Sequence, residues 1–221
     1  MIKLCIFDLD GTLLDTLPTI AYYCNYSLKE FGLPEIETEK YKYLAGNGAK
    51  VLIERMLDEV GADREKYFDK MYSFYNKAYD NDVSYLTKPF DGVPEMLAGL
   101  KTLGIKTAVI SNKPDFAAVN VVKLFLGELV DIAHGGRDGI PLKPAPDGVF
   151  KIFEEAGVSA DECLYIGDTG TDMETGKNSG IFNIGVLWGF RKEDELRANG
   201  ADIVVSDPLE ILEYAKKVNE K

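Results

Sequence analysis

Leu4-Cys5-Ile6-Phe7-Asp8-Leu9-Asp10-Gly11-Thr12 is the stretch that decides the fold. Ile2 to Phe7 reads as a fully buried strand, because a short apolar run bounded by turn residues suits a strand covered on both faces. Asp8-Leu9-Asp10-Gly11 ends it. In an extended segment residues i and i+2 share a face, so the two carboxylates point into one space. Held close with no local cation, they do not both stay ionised unless a metal sits between them. A pair of turn-forming aspartates before a glycine is the plainer reading, and the pentapeptide alone leaves both open.

The same kind of run recurs along the chain. Lys106 to Ile110, Leu129 to Ala133, Cys163 to Ile166, Ile181 to Val186 and Asp202 to Val205 are short, rich in β-branched residues and bounded by Gly, Asp or Asn. Helical patterns lie between them: Gly92 to Leu103, Pro114 to Leu126, Pro146 to Ala156, Thr171 to Ser179, Lys192 to Ala198 and Pro208 to Val218. Strands joined by helical crossovers imply an α/β fold, a three-layer Rossmann-like core around a parallel sheet. Thr16 to Lys88 breaks the rhythm. It has no convincing strand, and four helices fit it, about Pro18 to Phe31, Glu37 to Tyr43, Gly48 to Val60 and Asp63 to Asp80. The expected organisation is a discontinuous core, 1–15 and 89–221, with a helical domain at 16–88 inserted after the first strand. The length of 221 residues fits one domain plus an insert. The charged tail Lys216 to Lys221 is expected to fray.

Composition limits the partners. Lys and Arg number 25 and Asp and Glu 37, a formal net charge of −12. So acidic a chain repels nucleic acid and anionic lipid, and it repels an anionic small molecule unless something locally inverts the field. The single histidine, His134, excludes zinc sites built from several histidines, and it is read as a strand-end residue without a catalytic task. Cys5, Cys24 and Cys163 form no C-x-x-C pair, and Cys5 and Cys163, inside apolar strand-like runs, read as reduced core thiols of a cytoplasmic protein. The N-terminal run is too short for a signal peptide, and no apolar stretch is long enough to span a membrane.

Three further features follow a predicted strand or open a helix. Gly167-Asp168-Thr169-Gly170-Thr171-Asp172 places two carboxylates at i and i+4. If a helix starts near Gly170, both face one pocket; an ordinary N-cap aspartate is the alternative. Four carboxylates without nitrogen or sulfur nearby suit Mg²⁺. Ser111-Asn112 follows the strand Lys106 to Ile110, where hydroxyl, amide and backbone N–H groups can cradle a phosphate or simply cap a helix. In Lys143-Pro144-Ala145-Pro146 the prolines stiffen the turn that carries Lys143. That lysine is a solvated charge or, beside four carboxylates, the missing cation.

The order D-x-D-G-T, S-N, K-P-x-P, G-D-x-x-x-D, each element at a strand end or helix start, resembles the haloacid dehalogenase superfamily of phosphotransferases. The resemblance covers the whole chain, the insert standing where that family carries a C1-type cap. It implies Asp8 as nucleophile through an aspartyl-phosphate, and Asp10 as acid and then base. It implies Mg²⁺ held by Asp8, the Asp10 carbonyl and Asp168, with Asp172 supporting the metal or orienting Lys143. Ser111 and Lys143 would bind the transferring phosphoryl group, together with Asn112 and Thr12, the latter chiefly holding its loop. On the cap, Gly46, Asn47, Gly48 and Lys50 would meet the substrate. A carboxyl end of that substrate would want a cation, with Lys50, Arg55 and Arg191 as choices.

Ala45-Gly46-Asn47-Gly48-Ala49, Lys88-Pro89-Phe90-Asp91-Gly92-Val93 and Gly185-Val186-Leu187-Trp188-Gly189-Phe190-Arg191 narrow the resemblance to phosphoglycolate phosphatases. The expected activity is therefore hydrolysis of a small phosphorylated metabolite, foremost 2-phosphoglycolate, by a monomer or homodimer. Pyrophosphatases, nucleotidases and β-phosphoglucomutase-like enzymes share much of the pattern, and a non-catalytic phospho-ligand module is the alternative outside enzymes. Asp10 argues against dehalogenation and phosphonate cleavage, whose enzymes in this family lack a carboxylate two residues after the nucleophile.

Overall fold

The computed structural model describes residues 1–220. The chain divides into two compact units, Met1–Asp15 with Pro89–Lys221, and Thr16–Lys88. The first strand, β1 (Leu4–Phe7), belongs to the larger unit, and its four side chains are all fully buried. Short strands β2 (Leu14–Asp15) and β3 (Lys88–Pro89) stand where the chain leaves that unit and returns.

The Thr16–Lys88 unit is helical: α1 (Leu17–Glu30), α2 (Tyr41–Leu44), α3 (Ala49–Glu59) and α4 (Arg64–Asn81). Met71, Tyr75 and Tyr79 form a buried stripe at i, i+4 and i+8 on α4, the spacing by which a helix buries one face. Leu28 of α1 and Ile53, Met56 and Leu57 of α3 are also buried, and both helices pack against α4. The helix expected over Glu37 to Tyr43 is instead a 3₁₀ turn, Thr38–Lys40, followed by the single turn of α2. Buried Tyr41 fixes this break, its hydroxyl donating to Asn25 Oδ1 at 2.8 Å, while the Asn25 amide pairs with the Ile36 backbone at 2.8 and 2.9 Å.

The larger unit continues with β4 (Lys106–Pro114), β5 (Ile132–Gly136), β6 (Cys163–Gly167), β7 (Phe182–Val186) and β8 (Ile203–Val205). The sheet order is β5-β4-β1-β6-β7-β8, all parallel. Its helices are α5 (Val93–Thr102), α6 (Asp115–Phe125), α7 (Asp147–Ala156), α8 (Gly170–Ser179), α9 (Glu193–Ala198) and α10 (Pro208–Asn219). Leu4 and Ile6 of β1, Ala108 and Ile110 of β4, and Cys163 and Tyr165 of β6 pack with Val149 and Ile152 of α7. Alternate residues of each strand thus meet one helix layer, as strand period 2 requires.

β1 starts at Leu4 rather than Ile2, and the boundaries of β4 and β5 differ from expectation by more. β4 was expected to end at Ile110 but stays extended to Pro114, with a register irregularity between these residues. Ser111, Asn112 and Lys113 are buried there, so polar side chains continue a strand whose apolar run has stopped. β5 starts at Ile132 rather than Leu129, because Gly127–Leu129 forms a 3₁₀ turn and the Asp131 carboxylate accepts the Thr107 N–H at 2.9 Å. The expected frayed tail is helical as far as Asn219; Lys221 lies outside the described residues.

Asn183 shows how the far edge of the sheet is tied. It is buried in β7, and its amide donates to the Met173 carbonyl of α8 at 2.9 Å and to the Gly200 carbonyl at 3.1 Å. Asn183→Ala leaves both carbonyls short of a donor and is expected to cost about 1–3 kcal/mol, read as a lowered urea midpoint with unchanged m-value.

Candidate active site

β1 stands between β4 and β6, and the chain runs outward from it in both directions. Such a switch of direction opens a crevice at the carboxyl ends of the strands. Asp8 is the first residue past β1, and its N–H still donates to the Ile166 carbonyl of β6 at 2.9 Å. The loop then closes on itself, Leu9 O accepting from the N–H groups of Leu13 at 3.1 Å and Leu14 at 3.0 Å. Gly11 in this loop has φ +91°, and a Cβ there would fall on Asp168 Oδ2. Conformation and space both require glycine.

α8 begins at Gly170 with Thr169 as its N-cap. Asp172 Oδ2 accepts the Thr169 N–H at 3.0 Å and its hydroxyl at 2.5 Å. This reciprocal cap turns Asp172 Oδ1 toward Lys143, whose Nζ donates to it at 2.8 Å and to Asp8 Oδ1 at 2.6 Å. Lys143 thus bridges two carboxylates contributed by different strand ends, and all three side chains are buried. Its own loop is pinned by Asn112. The Lys143 N–H donates to Asn112 Oδ1 at 2.8 Å, and the Asn112 Nδ2 donates to the Lys143 carbonyl at 3.1 Å. Asn178 Nδ2 holds the Pro144 carbonyl at 2.9 Å.

Asp168 is fully buried. It accepts from Thr12 Oγ1 at 2.9 Å and from the Phe190 N–H at 2.7 Å, while Trp188 Nε1 holds the Thr12 carbonyl at 2.9 Å. Asp8, Asp168 and Asp172 offer ligand oxygens within 4.8 Å of one another. Burial, followed by the Asp172 charge, pushes Asp168 up to about 7 against the Phe190 and Thr12 hydrogen bonds. Burial and then the Asp172 charge also hold Asp8 well above the ordinary carboxylate range, with Lys143 opposing. Burial works against the Lys143 ammonium, but the Asp172 and Asp8 charges outweigh it and keep its pKa well above the usual lysine value. Buried all-oxygen donors that hold protons this firmly fit a hard divalent cation, which displaces protons from its ligands. The donor set does not distinguish which divalent ion.

Asp10 is partly exposed, and its Oδ1 accepts from Lys113 Nζ at 2.8 Å. Sequence reading stopped at Ser111-Asn112 and missed Lys113. The available signal was the strand period, because Ser111 and Lys113 lie at i and i+2 on an extended segment. The Lys113 N–H donates to Ser111 Oγ at 3.2 Å. In the other unit Gly46 and Gly48 have φ of 105° and 84°, and no atom lies within 4 Å of a Cβ built on Gly46. Backbone conformation, not crowding within the chain, is what Gly46 supplies. Asn47 is half-buried and Lys50 exposed on α3. Arg55 donates to the Leu44 carbonyl at 3.2 Å, Arg191 pairs with Glu195 at 3.1 Å, and His134 Nε2 lies 2.9 Å from Glu155 Oε2. All three cysteines are free and buried. Among the described residues no helix is long and apolar enough to cross a membrane.

Residues 5–186 match the family model described as haloacid dehalogenase-like hydrolase. The chain belongs to the haloacid dehalogenase-like hydrolase family. It is 32% identical over 212 residues to the phosphoglycolate phosphatase of Aquifex aeolicus, covering 95% of both chains. It is 30% identical over 224 residues to the N-acetylmuramic acid 6-phosphate phosphatase of Pseudomonas aeruginosa, covering 96% of this chain and 94% of that one. A solved structure from Lactobacillus delbrueckii, described as a candidate phosphoglycolate phosphatase, superposes with a TM-score of 0.90 at 31% identity, covering 96% and 97%. As a member of this family with phosphatase relatives along its whole length, the chain is a phosphoric monoester hydrolase.

Two outcomes check the cation reading. Added Mg²⁺ or Mn²⁺ should raise the melting temperature, by the equivalent of about 2.7 kcal/mol at a hundredfold excess over Kd, and Asp168→Asn should remove most of the rise. Because Asp168 must lose its proton to bind a cation, the rise should shrink as pH falls through about 7. Differential scanning fluorimetry across pH reads both.

Proposed function

We propose that this chain is a Mg²⁺-dependent phosphatase that hydrolyses a small phosphate monoester, foremost 2-phosphoglycolate, through an aspartyl-phosphate. The observation that carries the chemistry is the buried Lys143 bridging Asp8 and Asp172, with Asp168 within ligand reach of both carboxylates. Whole-length relatives that bear the phosphoglycolate phosphatase name support the substrate.

In the first half-reaction the Asp8 carboxylate attacks phosphorus. The bond to the leaving oxygen breaks, and Asp10 gives that oxygen its proton. In the second, Asp10 takes a proton from water as the water attacks the aspartyl-phosphate, which releases phosphate and frees Asp8. Ser111 Oγ and Lys143 Nζ bind the phosphoryl oxygens and hold them in line, the main requirement of phosphoryl transfer. Asp8, the Asp10 carbonyl and Asp168 would hold Mg²⁺, which when bound supplies positive charge to the nucleophile and to a phosphate oxygen. Asp172 orients Lys143 from the N-terminus of α8. Thr12 and Asn112 act one step back, Thr12 on Asp168 and Asn112 on the Lys143 backbone.

The Thr16–Lys88 unit is read as a cap on its point of insertion, directly after the nucleophile loop. Gly46, Asn47, Gly48 and Lys50 are its proposed substrate-side residues. A cytoplasmic location and a monomeric or dimeric state accompany this reading.

Asp8→Asn should lower turnover of 2-phosphoglycolate by about 10⁴-fold or more, with the fold retained by circular dichroism. EDTA should abolish turnover and Mg²⁺ restore it. A steady-state panel of 2-phosphoglycolate, pyrophosphate, N-acetylmuramic acid 6-phosphate, nucleoside monophosphates and hexose phosphates decides the substrate. If kcat/KM for phosphoglycolate is not the highest, the narrow assignment fails. Asn112→Ala should raise KM and lower kcat roughly tenfold by loosening the Lys143 loop, about 1.4 kcal/mol of barrier, with Asp8 and Asp168 untouched.

A further inference from the structure

Lys113 and Lys143 are the buried cationic side chains among the described residues, at 9% and 7% exposure. Lys143 is committed to Asp8 and Asp172 on the nucleophile side. Lys113 stands against Asp10, with 7% of its side chain and 17% of the Asp10 side chain exposed. On the mechanism proposed above, Asp10 delivers a proton to the leaving oxygen, so Lys113 lies on the leaving-group side. A lysine is seldom buried unless a charge faces it, and a surface ion pair would not require this burial.

We propose that Lys113 is a specificity residue that recognises an anionic group, a carboxylate foremost, carried close to the leaving oxygen. The inference rests on the phosphatase reading and deepens it. Distance within the substrate is the first argument. In a 2-phospho acid the carboxylate is joined to the leaving oxygen through a single methylene. A cation in hydrogen-bond contact with the proton donor to that oxygen is therefore a near neighbour of the carboxylate.

Charge is the second argument. Asp8, Asp10, Asp168 and Asp172 place four carboxylates at these strand ends, against the ammonium groups of Lys113 and Lys143. With Asp10 carrying the proton it delivers, a divalent cation leaves that set one net positive charge, which the phosphoryl group itself takes up. A further anionic group then needs a cation aimed at it, since the wider field of a chain with net charge −12 repels it.

Backbone placement is the third. Ser111 and Lys113 alternate with Asn112 on extended β4, and Asn112 reaches the Lys143 loop while Lys113 reaches Asp10. One strand end thereby serves both sides of the scissile bond. Lysine suits the task better than arginine, because a point charge on a flexible stem can turn from Asp10 toward a substrate oxygen without matching a planar fork. Arg55 and Arg191, the sequence-based choices for this role, already engage the Leu44 carbonyl and Glu195.

The test compares 2-phosphoglycolate with ethyl phosphate, which keeps the leaving chain and lacks the carboxylate, in the parent, Lys113→Met and Lys113→Arg. The parent is expected to favour phosphoglycolate. Lys113→Met should lower kcat/KM for phosphoglycolate by roughly tenfold to a hundredfold, the range for one hydrogen bond to a charged group. Most of that loss should appear in KM, ethyl phosphate should change by less than about threefold, and Lys113→Arg should recover part of the preference. Lys113→Gln substitutes for the methionine variant if that chain does not fold. Equal losses on both substrates overturn the inference and leave Lys113 a positioning residue for Asp10. A parent preference retained in the variant also overturns it, while the phosphoglycolate reading survives. A parent with no preference for the carboxylate overturns both.

Discussion

Burying the Lys143 ammonium removes hydration that the Asp8 and Asp172 carboxylates offset, and neither carboxylate is at ease there without the lysine. Removing one partner of such a buried set typically costs about 3–5 kcal/mol, because the remaining charge has no compensation. The surrounding structure is organised to keep the three in register. Thr169 fixes Asp172 through a helix cap, β1 fixes Asp8 through its pairing with β6, and Asn112 fixes the Lys143 backbone. Each restraint comes from a different strand end, so sheet geometry rather than any single loop sets the spacing. The proposed mechanism depends on that spacing, because attack on phosphorus tolerates little displacement of nucleophile or counter-charge.

The end of β4 shows how one extended segment supports different tasks. Ser111, Asn112 and Lys113 are consecutive, and alternation separates their targets. Asn112 has the less visible role. Its amide reads both backbone hydrogen-bonding groups of one residue, the Lys143 N–H and C=O, so it specifies a backbone position instead of a charge. On the other side of β1, Gly11 and Gly189 give the Asp168 carboxylate its space, and the Phe190 N–H and Thr12 hydroxyl orient it.

Much of this was legible in the sequence because apolar runs report burial directly. Ile2 to Phe7 and Cys163 to Ile166 announce strands, and the aspartates that follow announce where the sheet ends. Lys113 and the far end of β4 were not legible. Periodicity assigns buried positions to apolar side chains, whereas Lys113 is buried because of Asp10, 103 residues earlier. The same holds for Lys143, whose partner Asp8 lies 135 residues away. Its proline-stiffened turn drew attention to Lys143, while Lys113 follows Asn112 with no such mark. The broken helix near Tyr41 was missed for a related reason, since Asn25 governs it from another helix.

The position of β1 has a consequence for how the chain comes to fold. Leu4 lies beside Lys106 on one side and Cys163 on the other, so the central strand has no local partner. Contacts of such separation form late, because long loops must close first. Synthesis from the N-terminus delivers the helical Thr16–Lys88 unit, whose contacts are more local, before any neighbour of β1 exists. A chain that stops short of Asp168 carries Asp8 without the carboxylates that gather beside it. On the proposed mechanism, interrupted translation therefore leaves an inert product, not a poorly controlled phosphatase.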